Sequence, residues 1–127
     1  MNLFYVDDNK LNCLLMNKQF TKHKTKIKIF NSGIDAIEYF DNNPAYDDDV
    51  ILMDIEMPEM DGYETAKQIK NKNGNCNIIA FTTLKHEEMK KVSYIDTYYD
   101  KTKYNIKDLL YFITTNFIDK YEQPMHI

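Results

Sequence analysis

The chain has no tryptophan and no arginine, and it carries only three glycines, three prolines and two cysteines in 127 residues. Each shortage closes off a class of function. Three glycines cannot supply the phosphate-cradling loop that flavin or nucleotide binding on an α/β sheet requires. Cys13 and Cys76 stand apart, without CxxC spacing or a nearby histidine, and read as reduced thiols, not as a zinc or redox pair. Without arginine, all sixteen basic residues are lysine, so a bound phosphoryl group must be met by lysine, hydroxyls, backbone N–H groups or a metal. No apolar run approaches membrane-spanning length, and the acidic pair Asp7-Asp8 arrives before any stretch long enough for a signal peptide. A soluble, cytoplasmic protein with no membrane partner is expected. Positive charge is also short: the net charge of −4 argues against direct binding of nucleic acid.

What is present points to a folded domain. Hydrophobic residues make up 43% and charged residues 28%, a globular balance, and 127 residues fit one core without room for a second. Short apolar runs alternate with longer amphipathic ones, the pattern of parallel strands joined by helices. Strands are expected at residues 3–6, 27–30, 50–53 and 78–81, apolar throughout apart from Lys28, with a fifth at 97–99. Leu11, Leu14 and Leu15 give one face of a first helix. Ile34, Ile37, Tyr39 and Phe40 give a second, with Ser32 as its cap and Pro44 just past its end. Asp61 followed by Glu64 opens a third, which runs toward Lys72 and stops before Gly74. A short fourth helix is expected at about 85–92. Ile106, Leu109, Leu110, Ile113 and Phe117 recur at helical spacing behind the cap Asn105. The result is one doubly wound α/β domain over residues 1–120, with a loose tail at 121–127.

In such sheets ligands gather outside the carboxyl ends of the strands. Asp7 and Asp8 end the first strand, Asp54 the third, Thr82 and Thr83 the fourth, and Lys101 follows the fifth. Three carboxylates in one pocket raise one another's pKa unless a cation sits among them, and a hard divalent ion held through oxygen answers that need. Magnesium fits best, because it keeps several waters and takes one or two carboxylates plus phosphate oxygens. With that ion, Asp54 can attack phosphorus in line while Lys101 neutralises the transferring oxygens, and the product is an acyl phosphate. Singly these residues have ordinary readings: a helix cap for Asp7-Asp8, a solvated Lys101, a strand end at Thr82 and a turn at Asp61-Gly62. Their combination, in order, is what carries the chemistry.

The run Met53-Asp54-Ile55-Glu56-Met57-Pro58-Glu59-Met60-Asp61-Gly62-Tyr63-Glu64 resembles the phosphorylation-site signature of receiver domains in two-component response regulators. The likeness extends from Leu3 to about Phe117. Asp7-Asp8-Asn9 with Asn12 is similar to the acidic motif of receivers in hybrid kinases and phosphorelays. The resemblance implies a flavodoxin-like parallel sheet in the order 2-1-3-4-5 and a signalling module, not an enzyme. It implies that Asp54 is phosphorylated by a histidine kinase or a histidine-phosphotransfer protein. Asp8, Asp54 and the main-chain carbonyl of Glu56 would bind Mg2+, Asp7 would assist through water, and Lys101 would contact the phosphoryl group. It implies a switch in which the Thr82 hydroxyl moves to the new phosphoryl oxygen and Tyr98 rotates inward, changing the face made by the fourth and fifth helices and the fifth strand for a downstream protein. Receivers often pair through that face, so a homodimer is among the expected partners.

Several positions depart from the family pattern. Thr102 follows Lys101 where receivers usually have proline, Thr83 stands where Ala or Ser is common, and Glu56 adds a negative side chain. The segment from Thr82 to Lys101 is short and lacks the usual glycine before the fifth strand. These departures motivate an alternative: a receiver-like interaction module that does not switch. A third reading, an aspartate-nucleophile phosphatase, finds only a faint echo in Asp54-Ile55-Glu56.

Overall fold

Five strands form one parallel sheet: β1 (Leu3–Val6), β2 (Lys28–Phe30), β3 (Val50–Met53), β4 (Asn77–Thr82) and β5 (Thr97–Asp100). Their order is β2-β1-β3-β4-β5, as expected for the doubly wound fold. They are seen in a computed structural model that describes residues 2–72 and 74–118, so the expected tail at 121–127 lies outside the described residues. The three central strands are buried along their whole length, which is why they read as unbroken apolar runs. Edge strand β2 buries only Phe30 fully, and Lys28 lies over the Tyr39 ring, 4.9 Å from its centroid.

Alternation along the strands divides the core in two. Phe4, Val6, Ile51, Met53, Ile78 and Ala80 face one side, where they meet α2 (Gly33–Asn42) and α3 (Gly62–Lys72) through Ala36, Phe40, Ala66 and Ile69. Tyr5, Leu52, Ile79 and Phe81 face the other, against α1 (Lys10–Lys22) and α4 (Ile106–Ile113) through Met16, Phe20, Leu109 and Ile113. The caps fall where side-chain chemistry put them. Ser32 accepts from the N–H of Asp35 at 3.0 Å, Asp61 from that of Glu64 at 2.9 Å, and Asn105 from that of Lys107 at 2.9 Å. After α4 the chain continues as a wider turn of π type over Thr114–Ile118, which buries Phe117.

Two expectations are overturned. The leucine face of the first helix points outward: Leu11, Leu14 and Leu15 are 62%, 55% and 48% exposed, and α1 instead packs through Cys13, Met16 and Phe20. Both stripes have helical spacing, so periodicity alone did not choose between them, and the longer Met16 and the larger Phe20 fill the space under the helix. The fourth helix, expected at 85–92, is a single 3₁₀ turn over His86–Glu88 in an otherwise irregular segment. A parallel crossover needs a dozen or more residues. The stretch 83–96 is little longer, and it is held down by Leu84, Met89, Val92, Tyr94 and Ile95 packing on the core.

Candidate functional site

The backbone ladder carries its last residues into the site. The N–H of Asp54 donates to the carbonyl of Val6 at 2.9 Å, and that of Asp7 to the carbonyl of Phe30 at 3.1 Å. Asp7, Asp8 and Asp54 thereby each bring a carboxylate oxygen within 4.8 Å of the others. Asp7 and Asp54 are buried, while Asp8 lies nearer the surface. The β3–α3 loop closes tightly beneath them. The N–H of Gly62 donates to the carbonyl of Ile55 at 2.9 Å, and a Cβ at Gly62 would stand 2.2 Å from the carbonyl oxygen of Asp54, so only glycine fits.

Asp7 is the most heavily bonded group in the site. It accepts from the Tyr5 hydroxyl, from the Asn9 N–H at 2.9 Å and from the Asn12 side-chain amide at 3.2 Å. Lys101 completes the set, with Nζ 2.8 Å from Asp7 Oδ2 and 5.5 Å from the centroid of the Phe81 ring. Burial pushes the Asp7 carboxyl up, but the hydrogen bonds from Lys101 and Tyr5 outweigh it and hold the group below the usual carboxylate range. Asp54 goes the other way. Burial first, then the charge of Asp7, push its carboxyl up to about 7, with Lys101 offsetting part of the rise.

One lysine cannot neutralise three carboxylates. The pocket therefore suits a hard divalent cation: its donors are all oxygen, they converge, and the displaced affinity of Asp54 for a proton measures the need for positive charge. Asp7, Asp8 and Asp54 could hold such an ion, with Glu56 beside them. The Glu56 N–H donates to Asp54 Oδ1 at 3.4 Å, and its side chain accepts from the Thr83 hydroxyl at 3.2 Å.

The other expected residues sit around this centre. The buried Thr82 hydroxyl accepts from the N–H of Leu84 at 3.2 Å and makes no bond to Asp54. Tyr98 donates to the carbonyl of Leu84 at 2.6 Å, its ring edge-on to His86. Lys101 reaches Asp7 and not Asp54. Sequence reasoning missed Tyr5 and Asp100. Alternation in β1 puts Tyr5 on the same side as Asp7, a signal that was available. Asp100 accepts from both the N–H and the hydroxyl of Thr102, at 2.9 and 2.6 Å, and an Asp two residues before a Thr is a turn signal.

Residues 3–100 match the family model of the response regulator receiver domain. Probable histidine kinase 4 of Oryza sativa subsp. japonica is 38% identical over 76 residues, which is 60% of this chain and 7% of the kinase. Sensor histidine kinase RcsC of Escherichia coli (strain K12) is 30% identical over 82 residues, 65% of this chain and 8% of the kinase. This chain thus spans less than a tenth of the length of these relatives. Among solved structures, response regulator TrrA of Thermotoga maritima, in complex with Mg2+-BeF, superposes with a TM-score of 0.75 at 26% identity, covering 91% of this chain and 98% of that one. A chain of the Saccharomyces cerevisiae co-crystal of the histidine phosphotransfer protein Ypd1 with the receiver domain of Ssk1 gives 0.77 at 24% identity, covering 94% and 90%, a likeness of fold.

Proposed function

We propose, from the premise that this chain belongs to the response regulator receiver domain family, that Asp54 accepts a phosphoryl group from a phosphohistidine of a histidine kinase or histidine-phosphotransfer protein. The observation that carries the reading is the convergence of Asp7, Asp8 and Asp54 within 4.8 Å, with Lys101 bonded into the cluster. A carboxylate oxygen of Asp54 attacks phosphorus, the N–P bond to the donor histidine breaks, and an acyl phosphate forms on Asp54. Mg2+, held by Asp8, Asp54 and the main-chain carbonyl of Glu56 with Asp7 assisting through water, would supply positive charge for the phosphoryl oxygens. Lys101 leaves Asp7 for a phosphoryl oxygen, and the N–H groups and hydroxyls of the Thr82-Thr83 loop take up the remaining charge.

The added charge then biases the Thr82 hydroxyl and Tyr98, and through them the face made by residues 83–96, β5 and α4, which a downstream protein reads. Incubation with Mg2+ and acetyl phosphate should add one phosphoryl mass to the wild type and none to Asp54→Asn. The same gain in Asp54→Asn would sink the assignment.

One observation favours a second reading, an interaction module that does not switch. Tyr98 is already bonded to the Leu84 carbonyl, and between β4 and β5 the chain forms only one 3₁₀ turn and no α-helix to be displaced. Backbone amide NMR spectra that stay unchanged on adding Mg2+ and beryllofluoride would favour it. Shifts along residues 83–100 would exclude it.

A further inference from the structure

Lys101 depends for its reach on a backbone turn that no proline fixes. Asp100 ends β5 opposite Thr82 in the register, and the chain then turns through one 3₁₀ turn, Lys101–Lys103, closed by the Tyr104 N–H on the Lys101 carbonyl at 3.2 Å. From that turn the Lys101 side chain crosses the Phe81 ring and ends on Asp7. Thr102, next in the chain, has both its N–H and its hydroxyl on a single oxygen of Asp100. These two bonds clamp the residues on either side of Lys101 to each other, so Lys101 leaves the strand in one direction. The Asp100 carboxylate is bonded to Thr102 while the Lys101 amine is bonded to Asp7, so Asp100 acts through the backbone and not by pairing with the amine.

We propose that Asp100 is a positioning residue for Lys101, its carboxylate oxygen and Thr102 together setting the turn that delivers the amine to the acceptor site. The inference rests on the reading of Asp54 given above. The plain alternative is a turn that merely finishes the strand. In that case loss of the clamp leaves Lys101 where it is, because the ion pair to Asp7 suffices to hold it. The two differ in what the acceptor chemistry feels. Mg2+ is held by carboxylates that Asp100 does not touch, whereas phosphoryl transfer needs the amine in place.

The test compares wild type, Asp100→Ala and Asp100→Asn, the last keeping an oxygen that can accept both Thr102 bonds. Rates of phosphoryl incorporation from acetyl phosphate, affinity for Mg2+ alone and the Tm of each variant are measured together. Asp100→Ala should slow incorporation on the order of tenfold, less than the ~100-fold that a 1 Å misplacement can cost. Mg2+ affinity and Tm should stay close to wild type, and Asp100→Asn should recover most of the rate. Wild-type rates in Asp100→Ala would overturn the proposal, as would an Asp100→Asn variant as slow as Asp100→Ala. If the wild type takes up no phosphoryl group, the reading of Asp54 fails, and the Lys101 Nζ resonance in the metal-free protein still decides this one. It should move toward that of a free lysine in Asp100→Ala and return in Asp100→Asn. A resonance unmoved in Asp100→Ala would contradict the clamp.

Discussion

Asp54 and Asp7 sit side by side and titrate in opposite directions, which gives the metal-free protein a measurable pH dependence. Asp54 binds its proton up to about pH 7 when folded, against roughly 4 for an ordinary carboxyl in the unfolded chain. The folded state therefore holds that proton more tightly, and the stability this contributes is complete below about pH 4 and lost as pH rises through 7. Asp7, held low, contributes in the opposite sense and only below about pH 4, so the window from pH 5 to 8 belongs to Asp54. In EDTA, Tm should fall across that window by an amount equivalent to at most about 3 kcal/mol, because the slope ends as pH passes 7. Asp54→Asn should abolish the slope, and a slope that survives in that variant would mean another group is responsible. Tyr5 offers a second residue-scale prediction. Its buried hydroxyl donates to Asp7, and Tyr5→Phe should cost about 2 kcal/mol in a urea titration, the range for a bond to a charged group. Phosphoryl acceptance should persist, because Lys101, Asn9 and Asn12 still hold Asp7.

At the scale of elements, the β3–α3 loop is the least forgiving part of the site. A methyl group at Gly62 would meet the Asp54 carbonyl and the Ile55 Cα at 2.2 and 2.7 Å, both backbone, so Gly62→Ala must displace the loop. A loss of roughly 1–3 kcal/mol is expected, with slower uptake of phosphoryl groups if Asp54 is the acceptor proposed above. A variant with wild-type stability would show that the loop is looser than this packing implies. Much of this architecture was legible in the sequence. The three buried strands announced themselves because both faces are covered, and Ser32, Asp61 and Asn105 because short polar side chains satisfy helix ends. The orientation of α1 was not legible, since Leu11-Leu14-Leu15 and Cys13-Met16-Phe20 obey the same period and only the sheet decides between them. Nor was the missing helix after β4, where the pattern over 85–92 suits a helix but the short crossover and its apolar anchors keep most of it irregular.

For the whole molecule, the convergence of Asp7, Asp8 and Asp54 was legible in the sequence because they follow the ends of neighbouring strands, and parallel topology brings those ends together. Their bonds could not be. That Lys101 pairs with Asp7, and that Tyr98 is tied to Leu84, depends on side-chain reach across elements 94 and 14 residues apart in sequence. Among the described residues no helix is long and apolar enough to cross a membrane. The segment 83–96 is where the molecule departs from the expected pattern. The product proposed for the site is an acyl phosphate on Asp54. Borohydride reduction after incubation with Mg2+ and acetyl phosphate converts a phosphorylated aspartate to homoserine, which peptide mass spectrometry then locates. Homoserine at position 54, dependent on Mg2+, is the predicted result. Its absence there, or its appearance at Asp7 or Asp8 instead, would show that Asp54 is not the acceptor.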